Sequence, residues 1–355
     1  MYSTGQPSGV RLDLRRFAST SLYVLFLAAL SFVCFKSPLP GEFDRYMYEA
    51  LVRGKHQSAE VMYPIIKHSY PRAEISEILD SPEHLAQMEP LYAIRPLYTQ
   101  AIAVAASTGM PYQSAVSLIS ALSLFLIGLV LLAWTGRPAY SALLLASPAI
   151  VEVARGGTPD AFSAFFLLAS SYALATNRML PGIALLLASV WVRTDNVLFV
   201  VAVLVWLVWT KKLSLPQFAG LATLACASVL VINHFSGNYP WRVLFRFTFI
   251  GGRNIAEIPA NLSFSEYLRA ILSGIRGIGG QEVTIFILIG LAAMSLLSSN
   301  NSLRPLLLCV AIAAISHFLL FPSPGNRFFA WAYLIVGAAF IRAIGTNRFE
   351  ERVPS

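Results

Sequence analysis

Charge is scarce in this chain. Asp, Glu, Lys and Arg make up 12% of its 355 residues, about half the share carried by a soluble globular domain. Apolar residues make up 56%, and the mean hydropathy is +0.64. These values exclude an ordinary water-soluble enzyme and indicate a polytopic membrane protein whose core is completed by the bilayer. Cysteine is nearly absent too. Cys34, Cys226 and Cys309 each lie in or beside an apolar run and share no metal-like spacing, so they are expected to be small core residues. No basic run is interleaved with exposed aromatics, which excludes a nucleic-acid role for the net charge of +8. No small-x-small cleavage site follows the first apolar run, so that run is expected to be a retained helix. Internal repeats and low-complexity tracts are also missing.

What is present is a series of apolar runs. Residues 17–35 follow Arg11, Arg15 and Arg16, which places the N-terminus in the cytoplasm. Later runs cover 112–134, 140–153, 160–175, 179–192, 197–210, 215–234, 282–297, 304–321 and 328–344. Residues 97–106 are apolar but short, and crossing or lying at the interface both fit. If they do not cross, the inner connections hold Arg137, Arg178, Lys211, Lys212, Arg304, Arg342 and Arg348, with no acid before Glu350. The positive-inside rule then gives about ten spans with both termini cytoplasmic. The chain reads as one transmembrane domain, 1–355, with a first outer loop at 36–111 and a second at 235–281. Within the first loop, 44–52 and 76–88 are expected helices, the latter interrupted near Pro82.

This topology sorts the unusual residues onto one face. Glu42 and Asp44 follow the first span; then come Arg95, Arg155 and Asp160, Arg193 and Asp195, Arg253, and Arg327. Charges at membrane depth are costly and face a cavity or a partner. Simple pairing of Arg155 with Asp160, and of Arg193 with Asp195, is the competing explanation. Three stretches carry the signal. In 155–160, two glycines permit close backbone approach to a ligand, Thr158 suits a helix cap, and Arg155 beside a helix N-terminus suits a phosphate. In 191–196, Arg193 and Asp195 interrupt an apolar run, and Thr194 or Asp195 suits the next cap. In 321–331, Arg327 stands among aromatics and suits bidentate phosphate binding. The second loop alternates aromatics with Arg242 and Arg246, suited to a membrane surface, and its glycines suggest a mobile lid.

In this order the motifs resemble the GT-C superfamily of integral-membrane glycosyltransferases, in the branch of the protein mannosyltransferases and the lipid A aminoarabinose transferase. The resemblance rests on Glu42-Phe43-Asp44 with Tyr46, Tyr48 and Ala50 behind it, Arg95-Pro96-Leu97-Tyr98, Asp160, Arg193-Thr194-Asp195, and Asn326-Arg327-Phe328-Phe329. It implies an all-α fold with interfacial helices in the first outer loop. It implies transfer of a sugar from a polyprenyl-phosphate donor to a glycan, lipid or protein acceptor at the outer face, here the periplasmic side of a bacterial inner membrane. Asp44 would be the general base, supported by Glu42 and Asp160. Arg327, Arg193, Arg155 and Arg253 would hold the phosphate, with Asp195, Arg95 and Tyr48 in the same site. Both metal-dependent and metal-independent members exist, so a divalent cation (Mg or Mn) on Glu42, Asp44 and Asp160 stays open. The sequence lacks the large soluble C-terminal domain of fuller members. A non-catalytic transporter or flippase of a lipid-linked or anionic substrate is the alternative, weakened by the lack of inverted repeats. A polysaccharide polymerase or ligase differs mainly in donor size.

Overall fold

A computed structural model describes residues 8–39, 43–54, 58–69, 80–252, 254–297 and 303–350. Among these the chain is all α-helical apart from short 3-10 turns. Helix α1 spans Ser8–Lys36, α2 Phe43–Arg53, α3 Ala59–Ser69, α4 Pro82–Ala93, α5 Pro96–Ser107, α6 Tyr112–Thr135, α7 Pro138–Leu145, α8 Pro148–Arg155 and α9 Asp160–Ala175. They are followed by α10 Met179–Val192, α11 Val197–Trp209, α12 Leu215–Phe235, α13 Trp241–Phe249, α14 Phe264–Gly277, α15 Glu282–Leu297, α16 Arg304–Leu320 and α17 Asn326–Glu350.

Proline sets several starts, because its missing N–H falls where a helix has no partner for one. Pro82 opens α4, with the Ser81 hydroxyl accepting from the His84 amide at 3.3 Å. The part of that expected helix before residue 80 lies outside the described residues. Pro148 likewise divides the expected 140–153 span into α7 and α8.

Four helices are long and apolar enough to cross a membrane alone: Leu14–Lys36, Tyr112–Thr135, Leu215–Phe235 and Asn326–Ile344. The pair Phe264–Gly280 and Glu282–Ala293 passes the same test together but is bent by 86°. Apolar helices of the lengths of Asp160–Ala175, Met179–Val192, Thr194–Trp209 and Arg304–Leu320 are shorter, so the expected count of about ten depends on them. Leu22, Leu25, Phe32, Leu230 and Phe235 are exposed on α1 and α12, an apolar surface that a bilayer would cover. The chain is accordingly an integral membrane protein in composition and build.

The main core packs α6 against α1 and α9, α9 against α10 and α17, and α11 against α16. The stretch from α2 to α5 has a core of its own: Met47, Tyr48, Met62, Ile66, Leu85, Tyr92 and Tyr98 bury one another against the start of α6. This segment is a packed cap, which is what fixes Asp44 and Arg95 in place. The stretch between α12 and α15, expected to be a loop rich in glycine, also contains helices, α13 and α14. Gly274 has a packing reason: a Cβ there would lie 2.4 Å from the Pro322 carbonyl oxygen and 2.9 Å from the Phe318 ring. Three hydrogen bonds fasten this segment to its surroundings. Tyr239 donates to Gln87 O at 3.0 Å, Trp241 Nε1 to Leu320 O and Tyr267 to Leu319 O, both at 2.9 Å.

Candidate functional site

Asp44 lies in the first turn of α2, where the helix dipole favours a carboxylate. Its Oδ2 accepts from Arg327 Nη1 at 2.5 Å, and its Oδ1 accepts from the Tyr92 hydroxyl at 2.7 Å. The two charged partners are 283 positions apart in sequence. Burial alone would raise the Asp44 carboxyl. The Arg327 charge, the Tyr92 hydrogen bond and the Arg95 charge outweigh it and hold the carboxyl below its ordinary range. The same burial pushes the hydroxyl of Tyr92 well above the usual phenol range, and the Asp44 charge adds to it.

Arg95 stands at the turn between α4 and α5. Its Nη1 donates to the Tyr48 hydroxyl and to Leu91 O, the latter at 3.3 Å. Among the described residues it forms no ion pair with a carboxylate. A half-buried guanidinium so placed retains donors for an anion. Burial raises the Tyr48 hydroxyl above its usual range, partly offset by the charge of Arg95; Asp44, Arg193 and Arg327 also act on it. Tyr48 therefore sits where the two charged groups of the site meet.

The second group is a chain of contacts. Thr158 Oγ1 donates to Asp160 Oδ2 at 2.6 Å, and Asp160 Oδ1 accepts from Arg193 Nη1. Arg193 grips Asp195 bidentately, Nε to Oδ1 at 3.0 Å and Nη2 to Oδ2 at 2.7 Å. His317 Nδ1 closes the chain at 3.1 Å from Asp195 Oδ2. The expected pairing of Arg193 with Asp195 is present, but Asp160 pairs with Arg193 and not with Arg155. Neither Thr158 nor Thr194 nor Asp195 caps a helix by its side chain, because the ion chain engages Thr158 and Asp195 instead.

A cavity of about 370 Å³ is lined by Arg95 and by the Arg193, Asp195 and His317 end of this chain of contacts; Asp44 and Arg327 are not part of its lining. Arg95, Arg193, Asp195 and His317 form its polar side, and Val229, Tyr239, Trp241, Phe245, Phe321 and Phe328 are among those that form the other. Phe328 links both clusters: the guanidinium carbons of Arg327 and Arg193 lie 4.9 and 5.5 Å from its ring centre. The cavity suits a molecule with an anionic head and an apolar body.

Other expected residues are placed elsewhere. Arg155 Nε donates to Ser37 O, while its own carbonyl accepts from Leu39 N at 3.1 Å, so it anchors the stretch that follows α1 and is not part of the cavity lining. Gly157, at φ +66°, makes the close approach that was expected, but to Val116 and Arg45 rather than to a ligand. Glu42 and Arg253 lie outside the described residues. Asp44 and Asp160 occupy separate ion pairs, each with its own arginine. Among the described residues no three His, Cys, Asp or Glu side chains converge as a metal cage. A cation on Asp44 or Asp160 would have to replace a guanidinium, so no chemical step is derived through one.

Sequence reasoning missed two features. His317 is buried in an apolar helix and was passed over as part of a span. Arg45 and Glu49, on the inner face of α2, are buried in a network with Gln113: Arg45 Nε donates to Gln113 Oε1 and Arg45 Nη2 to Ser117 Oγ, and Gln113 Nε2 donates to Glu49 Oε2. The four-residue spacing of Arg45 and Glu49 was the available signal. Comparison with family models, curated proteins and solved structures returns no match for this chain.

Proposed function

We propose that this protein is a GT-C-like membrane glycosyltransferase that moves a sugar from a polyprenyl-phosphate donor to an acceptor at the outer, periplasmic face. In this reading the shorter apolar helices also cross, giving about ten spans with both termini cytoplasmic. One observation supports it: Asp44 and Arg327, remote in sequence, are in contact, and Phe328, against which Arg327 stacks, lines with Arg95 and Arg193 a cavity whose aromatic walls suit a lipid.

The geometry assigns distinct tasks. Arg95 and Arg193 hold the donor phosphate, and the apolar wall takes the first part of the lipid. The acceptor oxygen bonds to the anomeric carbon and its proton passes to Asp44. The bond from the anomeric carbon to the phosphate oxygen breaks, and its electron pair stays on the phosphate, where the guanidinium groups stabilise the added charge. An aspartate gripped by Arg327 is a weak base. Moving Arg327 from Asp44 to the arriving phosphate would therefore raise the basicity of Asp44 at the moment it is needed.

The test is transfer of labelled sugar from a polyprenyl-phosphate donor by membranes containing the wild type or Asp44→Asn. The variant is expected to insert and fold but to lose about 10²–10⁴-fold in rate. Wild-type transfer by Asp44→Asn would remove Asp44 as the base. Movement of the donor across vesicles with no new glycosidic bond would replace the enzyme by a flippase.

A further inference from the structure

Helix α14 presents a face that no part of the described chain covers. At about 3.6 residues per turn its sequence divides into four sectors. Tyr267, Ala270, Ile271 and Gly274 form the first and pack inward, Gly274 against Phe318 and Pro322. Phe264, Leu268, Leu272 and Ile275 form the second, running from the first turn to the last. All four are exposed, Phe264 to 77%. Arg269 and Arg276 form the third sector, and Glu266 and Ser273 the fourth. Glu266 is engaged by Arg246 and by the Ser263 cap. Arg269 and Arg276 are exposed, and neither forms an ion pair among the described residues. Around the helix the order is therefore protein, apolar stripe, basic row, polar row. An exposed apolar stripe of this length on one helix calls for a cover.

The bend after α14 says what the cover is. The stretch Phe264–Gly280 turns by 86° into Glu282–Ala293. Glu266, Arg269 and Arg276 all fall in α14, whereas α15 has no charged residue after Glu282 and exposes Ile285, Leu288 and Ile289. Three charges at hydrocarbon depth would be costly, so α15 suits a crossing and α14 does not. A helix near a right angle to a crossing helix lies along the membrane surface.

We propose that α14 is an interfacial helix bound to the lipid leaflet, with Phe264, Leu268, Leu272 and Ile275 in the upper acyl region and Arg269 and Arg276 on lipid phosphates. Forked guanidinium donors suit a phosphate, and an anionic leaflet adds attraction. Glu266 and Ser273 face water. The inward sector carries this contact to the cavity. Tyr267 donates to Leu319 O at 2.9 Å, and its ring centre lies 5.4 Å from that of Phe245 and 6.4 Å from that of Trp241. Both of these rings line the cavity. The lipid contact of α14 thus fixes the depth at which that aromatic wall sits in the membrane.

The experiment is spin labelling of the full-length protein in nanodiscs, in a cysteine-free background with one nitroxide at a time. Collisions with oxygen, which concentrates in hydrocarbon, and with a neutral nickel chelate, which stays in water, report depth. Labels on Phe264→Cys, Leu268→Cys and Ile275→Cys are expected at one common depth, about 5–10 Å below the headgroup surface. Labels on Arg269→Cys and Arg276→Cys should read near the phosphates, and a label on Ser273→Cys should meet the nickel chelate most often. Arg269→Glu with Arg276→Glu should shift the Leu268→Cys label toward water far more in phosphatidylglycerol than in phosphatidylcholine. Nickel collisions as frequent on the stripe as at position 273 would overturn the lipid contact. Labels shielded from both reagents would put a second copy of the chain on the stripe in place of lipid. A depth that changes by about 16 Å from position 264 to 275 would make α14 half of a broken span. An equal response in the two lipids would remove the phosphate contacts. Each of these outcomes would leave Asp44, Arg95 and the cavity as they are, so the transferase reading and the lipid contact of α14 fail separately.

Discussion

At the residue scale the site is a balance of three carboxylates against three guanidinium groups, and the position of each changes what it can do. Arg95 is the arginine whose donors are least engaged by acids. Arg95→Gln should weaken binding of a prenyl phosphodiester roughly 10- to 100-fold, the worth of a charge-assisted hydrogen bond, with little change in unfolding temperature. Titration calorimetry reads the first and differential scanning fluorimetry the second. Asp44 has a pH signature of its own. Its folded carboxyl lies below the ordinary range, so the Arg327 pair adds stability that is complete above the unfolded value near 3.9. That stability is lost as pH falls from there through the lower folded value. The wild type should lose more stability than Asp44→Asn between about pH 4 and pH 2, as read by unfolding temperature. An Asp44→Asn curve parallel to that of the wild type would show that the pair adds nothing. Arg193 and Asp195 were readable as functional candidates because they interrupt an apolar run, and charge there is hard to explain otherwise. His317 was not: one histidine in an apolar helix has the same appearance in sequence whether or not it meets an acid. Its partner is 122 positions earlier in the numbering, and only the fold brings Asp195 to it.

At the scale of elements, α2 does two jobs with two faces. Its N-terminal turn presents Asp44, while Arg45 and Glu49 on the buried side clamp Gln113 of α6. Gln113→Leu leaves both charged partners short of a hydrogen bond in a buried setting and should destabilise the protein by about 2–3 kcal/mol. Because α2 would then be loosely seated, transfer should fall with it, whereas a surface change such as Glu83→Gln should alter neither. Denaturant titration of the reconstituted protein measures the difference. The sequence made α2 legible as a helix, since Asp44 opens it and apolar residues follow at helical spacing. It did not make Arg45 legible as buried, because charged residues in a hydrophilic loop ordinarily face water. The stretch that holds α13 and α14 gives a second case. Glycine composition suggested mobility, but Gly274 is small because α14 packs on the backbone at Pro322. Gly274→Val should undock α14 and expose the 250–263 stretch to added protease, with digestion time as the measure.

At the scale of the molecule, the long-range hydrogen bonds define two ends. At one, Arg155 meets Ser37, Arg327 meets Asp44, and Trp241 meets Leu320. At another turn, between α9 and α10, Lys212 Nζ donates to Asn177 Oδ1 at 3.0 Å, joining two basic connections that the charge pattern had placed together on the inner side. A cysteine-free background carrying Ala86→Cys or Asn177→Cys, both exposed positions, should therefore label oppositely with a membrane-impermeant thiol reagent in intact cells: Ala86→Cys promptly, Asn177→Cys only after lysis. Equal labelling would remove the assignment of the site to the outer face. Charge asymmetry between connections was strong enough to group these loops from sequence, because it depends on many residues at once. The number of crossings was harder, since several apolar helices are shorter than a bilayer is thick.

The bond between Asp44 and Arg327 also constrains biosynthesis. The guanidinium is synthesised 283 positions after the carboxylate it meets, so the pair assembles only once α17 has been made. Products that stop before α17 would carry Asp44 and Tyr92 but lack the Arg327 that holds the carboxylate. Two separately expressed parts divided between α14 and α15, by contrast, would re-form the Asp44–Arg327 pair on meeting in one membrane.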